Sequence, residues 1–160
     1  MTTQPLLLSA LVLFSVVVFI QDLRHRYVYL WVLAGYAGTA ALLVYAWAGA
    51  AGLFHNLLFS LAYFVLIFGI IMLYYYIKEG ALSNPTNTRI GAADLVLLPA
   101  AGITLEPAQM VIFFALFFAA MAMAGLLWYK KRGQTVPLAG WLCACHLFYY
   151  SCIYLYEKQY

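Results

Sequence analysis

The sequence predicts an all-α, polytopic integral membrane protein. Three observations carry that reading. Of the 160 residues, 68% are hydrophobic and only 8% are charged, where soluble domains carry about 25% charged residues. The apolar residues fall in long runs, each near the roughly 20 residues that cross a bilayer as a helix. The cations cluster in alternate breaks between those runs. A soluble fold of this length cannot hide so much apolar surface, whereas lipid can take the place of the missing core.

Six stretches qualify or nearly qualify as spans: 5–21, 27–47, 57–77, 90–105, 108–128 and 137–156. The first has no Lys or Arg ahead of it, so it lacks the basic n-region of a secretory signal and reads as a retained helix. The second carries Gly35 and Gly38 one turn apart. The fourth is short and rich in Ala and Gly, with Pro99 inside it. Helices in lipid associate through such small faces, which puts this segment inside the bundle, and Pro99 favours a kink or a hydrated pocket there. The chain reads as one transmembrane unit over 1–160, with no repeat and no soluble domain.

Charge fixes the orientation. The first, third and fifth breaks hold Arg24, Arg26, Lys78, Arg89, Lys130, Lys131 and Arg132, whereas only Lys158 falls on the other side. That is a positive-inside pattern. It predicts six helices with both termini outside, in the inner (plasma) membrane. Tyr27, Tyr29, Trp31, Tyr74 to Tyr76, Trp128 and Tyr129 flank the inner boundary as an interfacial aromatic belt. The basic cluster Lys130-Lys131-Arg132 serves topology and contact with anionic membrane lipids. No basic run is long enough to imply nucleic acid.

The only two aspartates, Asp22 and Asp94, fall on the inner side. Asp22 follows the first predicted helix; Asp94 lies about one turn inside the fourth. A lone carboxylate at membrane depth costs about 2.5–3.5 kcal/mol on insertion scales, so Asp94 requires pairing, hydration or a proton. The structural alternatives are an interfacial charge near Arg24 or Arg26 for Asp22, and an ion pair with Arg89 or a favourable helix N-terminal charge for Asp94. Two carboxylates brought close cannot both ionise easily, so they share one proton. The charged member can then take a proton from water while the protonated member donates to a peptide carbonyl. Cys143, Cys145 and His146 fall within one turn on different faces and do not make a metal site; they read as buried structural residues. His55 and Asn56 read as interfacial. No metal and no cofactor are implied.

These residues resemble the motifs of the type IV prepilin peptidase family, which includes the preflagellin peptidases: six-helix aspartyl proteases of the Gly-x-Gly-Asp type. One family motif is an Asp after the first helix, followed by a basic stretch and Ile-Pro-Asn; here the run is Asp22-Leu-Arg-His-Arg-Tyr-Val28. The other is Gly-x-Gly-Asp-x-Lys-Leu-Leu followed by small residues; here Gly91-Ala92-Ala93-Asp94-Leu95-Val96-Leu97-Leu98 is followed by Pro99-Ala100-Ala101-Gly102. Val136-Pro137-Leu138 is similar to the Ile-Pro-Phe that opens the family's last helix. Tyr29 and Leu30 stand where Pro and Asn are expected, Ala93 where the second Gly is, and Val96 where the Lys is. The chain also lacks the paired Cys-x-x-Cys insertion of the long members.

The resemblance implies an aspartic endopeptidase with Asp22 and Asp94 catalytic and Gly91, Ala93 and Gly102 supporting the packing. It implies a substrate of the prepilin type, cut between its basic leader and its apolar helix at the cytoplasmic face. Two further readings stand beside it. The departures at Tyr29, Leu30 and Val96 allow an inactive member that binds leader helices or scaffolds an export machine. Intramembrane acids also mark proton paths, which allows a small proton-coupled transporter subunit, although the outer halves of the helices hold almost no ionisable residue.

Overall fold

A computed structural model describes residues 3–79, 92–124 and 138–157, and all of these elements are helical. They are α1 (Thr3–His25), α2 (Leu30–Glu79), α3 (Ala92–Ile103), α4 (Pro107–Ala124) and α5 (Leu138–Glu157). Helices α1, α4 and the Leu30–Leu73 part of α2 are long and apolar enough to cross a membrane. Many of their large side chains face outward, among them Leu13, Phe54, Val65 and Leu116, which is the exposure that a lipid solvent permits.

The predicted second and third helices are joined. In place of a polar break over 49–56, a single residue interrupts α2: Gly49, at φ 69° and ψ −172°. Positive φ carries no steric cost for glycine, so the chain redirects there within one residue. His55 and Asn56 lie inside the second arm of α2 rather than in a loop. Asn56 donates its side-chain amide to the Ile103 carbonyl at 3.1 Å, meeting one of the unpaired acceptors at the end of α3.

Contacts along the helices give their directions. The Gln4 side chain reaches the Ala46 carbonyl and Phe14 packs on Gly35, so α1 and the first arm of α2 are antiparallel. Phe19 meets Trp141 while Leu11 and Leu147 line one cavity further along, so α5 is antiparallel to α1. The second arm runs against α3, with Asn56 at Ile103 and Ser60 at Pro99. Met110 meets Gly102 and Phe114 lies beside Leu98, so α4 also runs against α3. All helices therefore alternate between two ends. One end gathers His25, Leu30, Ala92 and Leu138. The other gathers Thr3, Gly49, Ile103 and Pro107.

Close packing depends on small residues where the sequence placed them, with one exception. A Cβ at Gly35 would overlap the Phe14 ring, and one at Gly102 would overlap Ser60 Oγ and lie 2.9 Å from Met110 Sδ. Gly38 is exposed, and no described residue lies within 4 Å of such a Cβ. Pro99 stays inside α3, and its carbonyl accepts the Ser60 hydroxyl at 2.8 Å.

Replacing Gly102 by Leu is expected to cost about 1–3 kcal/mol through overpacking, read as a lower unfolding temperature in detergent. Gly38→Ala should leave that temperature unchanged or slightly raised, because helix propensity alone changes there.

Candidate active site

Helix α1 buries Leu11, Ser15, Val18 and Asp22, a stripe spaced by four, three and four residues. That spacing is one face of a helix. Asp22 is thus the fourth member of the buried stripe and not a loop residue, and the helix runs on to His25. Arg24 and His25 occupy its last turn, where cations oppose the negative end of the helix dipole. Arg26 then ends the helix in the left-handed region at φ 60°, its amide donating to the Asp22 carbonyl at 3.1 Å.

The Asp22 side chain is 8% exposed and lies against the start of α5. The Gly140 amide donates to its Oδ2 at 2.6 Å. Gly140 belongs to the first turn of α5, where backbone amides have no partner within the helix. The carboxyl group supplies one, across 118 residues of sequence. The approach is close: a Cβ on Gly140 would lie 3.2 Å from Oδ2, 3.3 Å from the Asp22 Cβ and 3.4 Å from the Phe19 carbonyl. A side chain there is tight and requires its neighbours to give by a few tenths of an ångström.

Asp94 lies in the first turn of α3 and is half-buried. Ala93 packs against the core, and Gly102 is buried at the other end of the same helix. Tyr150 donates to the Thr104 carbonyl at 2.6 Å. Stepping back ten residues from Tyr150 along α5 reaches Gly140, and ten from Thr104 along α3 reaches Asp94, about 15 Å in each case. The bundle therefore brings Asp22 and Asp94 to one end, on α1 and α3, with α5 packed against both helices. Gly91, Arg89, Lys130 to Arg132, and the Val136-Pro137 dipeptide lie outside the described residues.

His146, read from the sequence as a buried structural residue, is fully buried, with Nδ1 at 2.8 Å from the Tyr36 hydroxyl and Nε2 at 2.8 Å from Thr104 Oγ1. Thr104 Oγ1 donates to the Ala101 carbonyl at 2.7 Å. That bond uses the only hydroxyl proton of Thr104, so His146 must donate from Nε2 and accept at Nδ1 from Tyr36. One neutral tautomer satisfies every group, tying the first arm of α2 to α3 and α5. Both ring nitrogens are thereby taken, and among the described residues no three His, Cys, Asp or Glu side chains gather as metal ligands. Gly140, Tyr36 and Thr104 had no signal beyond small or polar character inside apolar runs.

The turn after α1 departs from the compared motif but is held. The Tyr29 amide donates to Gln21 Oε1 at 3.2 Å, a bond that a proline at this position could not make. Tyr27, Tyr29 and Trp31 form a ladder of neighbouring rings, all largely exposed, as expected of an interfacial belt.

The described bundle thus holds both acids at one of its two ends. Residues 9–129 match the model of the type IV leader peptidase family, and the chain belongs to that family. The matched part contains both aspartates and ends before α5. Comparison with curated proteins and with solved structures gives no match.

Tyr36→Phe is expected to destabilise the fold by about 1–3 kcal/mol, because it leaves Nδ1 of a buried imidazole without a donor. Chemical unfolding in mixed micelles measures it. The double variant Tyr36→Phe, His146→Phe should recover part of that loss, since neither polar partner then remains buried.

Proposed function

We propose that the protein is an intramembrane aspartic endopeptidase in which Asp22 and Asp94 form the catalytic pair. The observation that carries this reading is the burial of Asp22 on the α5 backbone at the end of the bundle that also holds Asp94. Acids at that depth are rare without a function, and the family is one of leader peptidases.

In the proposed reaction the pair shares one proton. The ionised carboxylate accepts a proton from water as the water oxygen attacks the peptide carbonyl carbon. The protonated carboxyl donates to the carbonyl oxygen, giving a tetrahedral diol. Proton transfer to the amide nitrogen then releases the amine and leaves a carboxylic acid. Neither aspartate is assigned as base, because a coupled pair titrates as a unit. Gly140 acts through Asp22: its amide holds Oδ2, which fixes the plane of the carboxyl.

The substrate class follows from the side on which the acids lie. Arg24 and Arg26 end α1 beside Asp22, and the other basic breaks of the sequence, the third and the fifth, fall on the same side. With those breaks in the cytoplasm, the chain crosses the membrane six times with both termini outside and the acids at the cytoplasmic face. A prepilin-like precursor presents its scissile bond there, between a basic leader that stays in the cytoplasm and an apolar helix in the bilayer. The reading of an inactive leader-binding scaffold rests on Tyr29, Leu30 and Val96. The Tyr29–Gln21 bond shows that one of those departures has its own structural support.

Purified protein in detergent or nanodiscs, incubated with a prepilin-like precursor, is expected to release the leader peptide. Asp22→Asn and Asp94→Asn should each lower the rate by about 10²–10⁴-fold, the usual contribution of a general acid or base. Intact precursor, under conditions in which a known leader peptidase cuts it, would favour the scaffold. Gly140→Val should reduce turnover while leaving precursor binding, measured by co-purification, in place.

A further inference from the structure

At the end of the bundle opposite the aspartates lies a cavity of about 470 Å³. Its walls are Leu8, Leu11 and Val12 of α1 and Leu147 of α5, with Trp47 and Tyr150 beside them. Leu8 precedes Asp22 by fourteen residues of helix, about 21 Å along the axis, so the cavity is no part of the acidic site. Its size and largely apolar wall suit a small-molecule site. Its one charged lining group, Glu106, lies with Gln109 at the start of α4, next to Thr104 after α3, and Ser151 of α5 adds a hydroxyl.

We propose that this cavity binds one acyl chain of an aminophospholipid, with the ammonium headgroup at Glu106. Two observations select that occupant. The wall lies on helices that face lipid: Val12 is exposed beside it, as is Trp47, and Trp and Tyr are side chains that favour the level of the headgroups. Among the described residues that line the cavity, the polar side carries an acid and no Lys or Arg, and that acid, Glu106, is exposed. The start of α4 offers an anionic headgroup fewer donors than a helix N-terminus usually does. Pro107 has no amide hydrogen, and the Glu106 amide already donates to Gln109 Oε1 at 3.2 Å. The site thus favours a cationic group over a phosphate monoanion alone.

The test uses the full chain with Trp31, Trp128 and Trp141 changed to Phe, leaving Trp47 as the reporter. The protein is placed in phosphatidylcholine nanodiscs containing phosphatidylethanolamine or phosphatidylglycerol with brominated acyl chains, which quench tryptophan on contact. Saturable quenching is expected, half-complete at a mole fraction about threefold lower for the ethanolamine lipid, the scale of one exposed charge contact. Glu106→Gln should equalise the two lipids. Ser151→Phe, which fills the cavity, should remove the saturable part, and circular dichroism should confirm that both variants remain helical. Quenching that rises without saturation, or that is equal for both headgroups in the unmodified background, would overturn the proposal. So would a headgroup preference that survives Glu106→Gln.

Discussion

The hydrogen bond from the Gly140 amide to Asp22 is the constraint on which the site depends. It joins the last turn of α1 to the first turn of α5 and leaves little room for a side chain on Gly140. The other contacts of these two helices follow from it. Phe19 meets Trp141 edge-on, and α5 continues beside α1 towards the cavity at the far end. Because α5 is also bonded to α3 through Thr104, fixing Asp22 on α5 fixes it relative to the helix that carries Asp94.

The far half of the bundle serves the acidic half through its buried hydrogen bonds. Tyr36 donates to His146, His146 to the Thr104 hydroxyl and that hydroxyl to the Ala101 carbonyl, while Tyr150 donates separately to the Thr104 carbonyl, among helices otherwise held by small apolar contacts. A buried polar network that satisfies every member can specify one arrangement of its helices. Here it sets the register of α3 against α5, and register is what brings Asp94 level with Gly140. Ser60 and Asn56 do the same for the second arm of α2, each bonding to a carbonyl of α3. Lipid gives no hydrophobic reason for helices to choose one register over another. Polar bonds and close glycine contacts make that choice instead.

Much of this was legible in the sequence. Composition and run length gave a helical membrane protein, and the small residues of the fourth segment correctly placed it inside the bundle. The two aspartates stood out because they are the only ones. The exact limits of α1 were not legible. The polar letters after Gln21 read as a loop, yet the stripe Leu11, Ser15, Val18, Asp22 continues at helical spacing, and following it one step further puts Asp22 in the interior. The break in α2 was misjudged for a related reason. His55 and Asn56 are polar, but one glycine at positive φ is enough to redirect a helix, and Asn56 pairs with α3. Gly140 was not legible at all. A glycine within an apolar run looks like any other until a carboxylate 118 positions away takes its amide.

The account stands or falls on the approach of two side chains, and cross-linking measures it directly. In a chain with the native cysteines changed to Ala, Asp22 and Asp94 are both replaced by Cys and treated with a thiosulfonate linker as short as a single bridging water. The account predicts an intramolecular cross-link, found by mass spectrometry of the digested protein. Its absence, with both thiols labelled by a monofunctional reagent of the same kind, would contradict it.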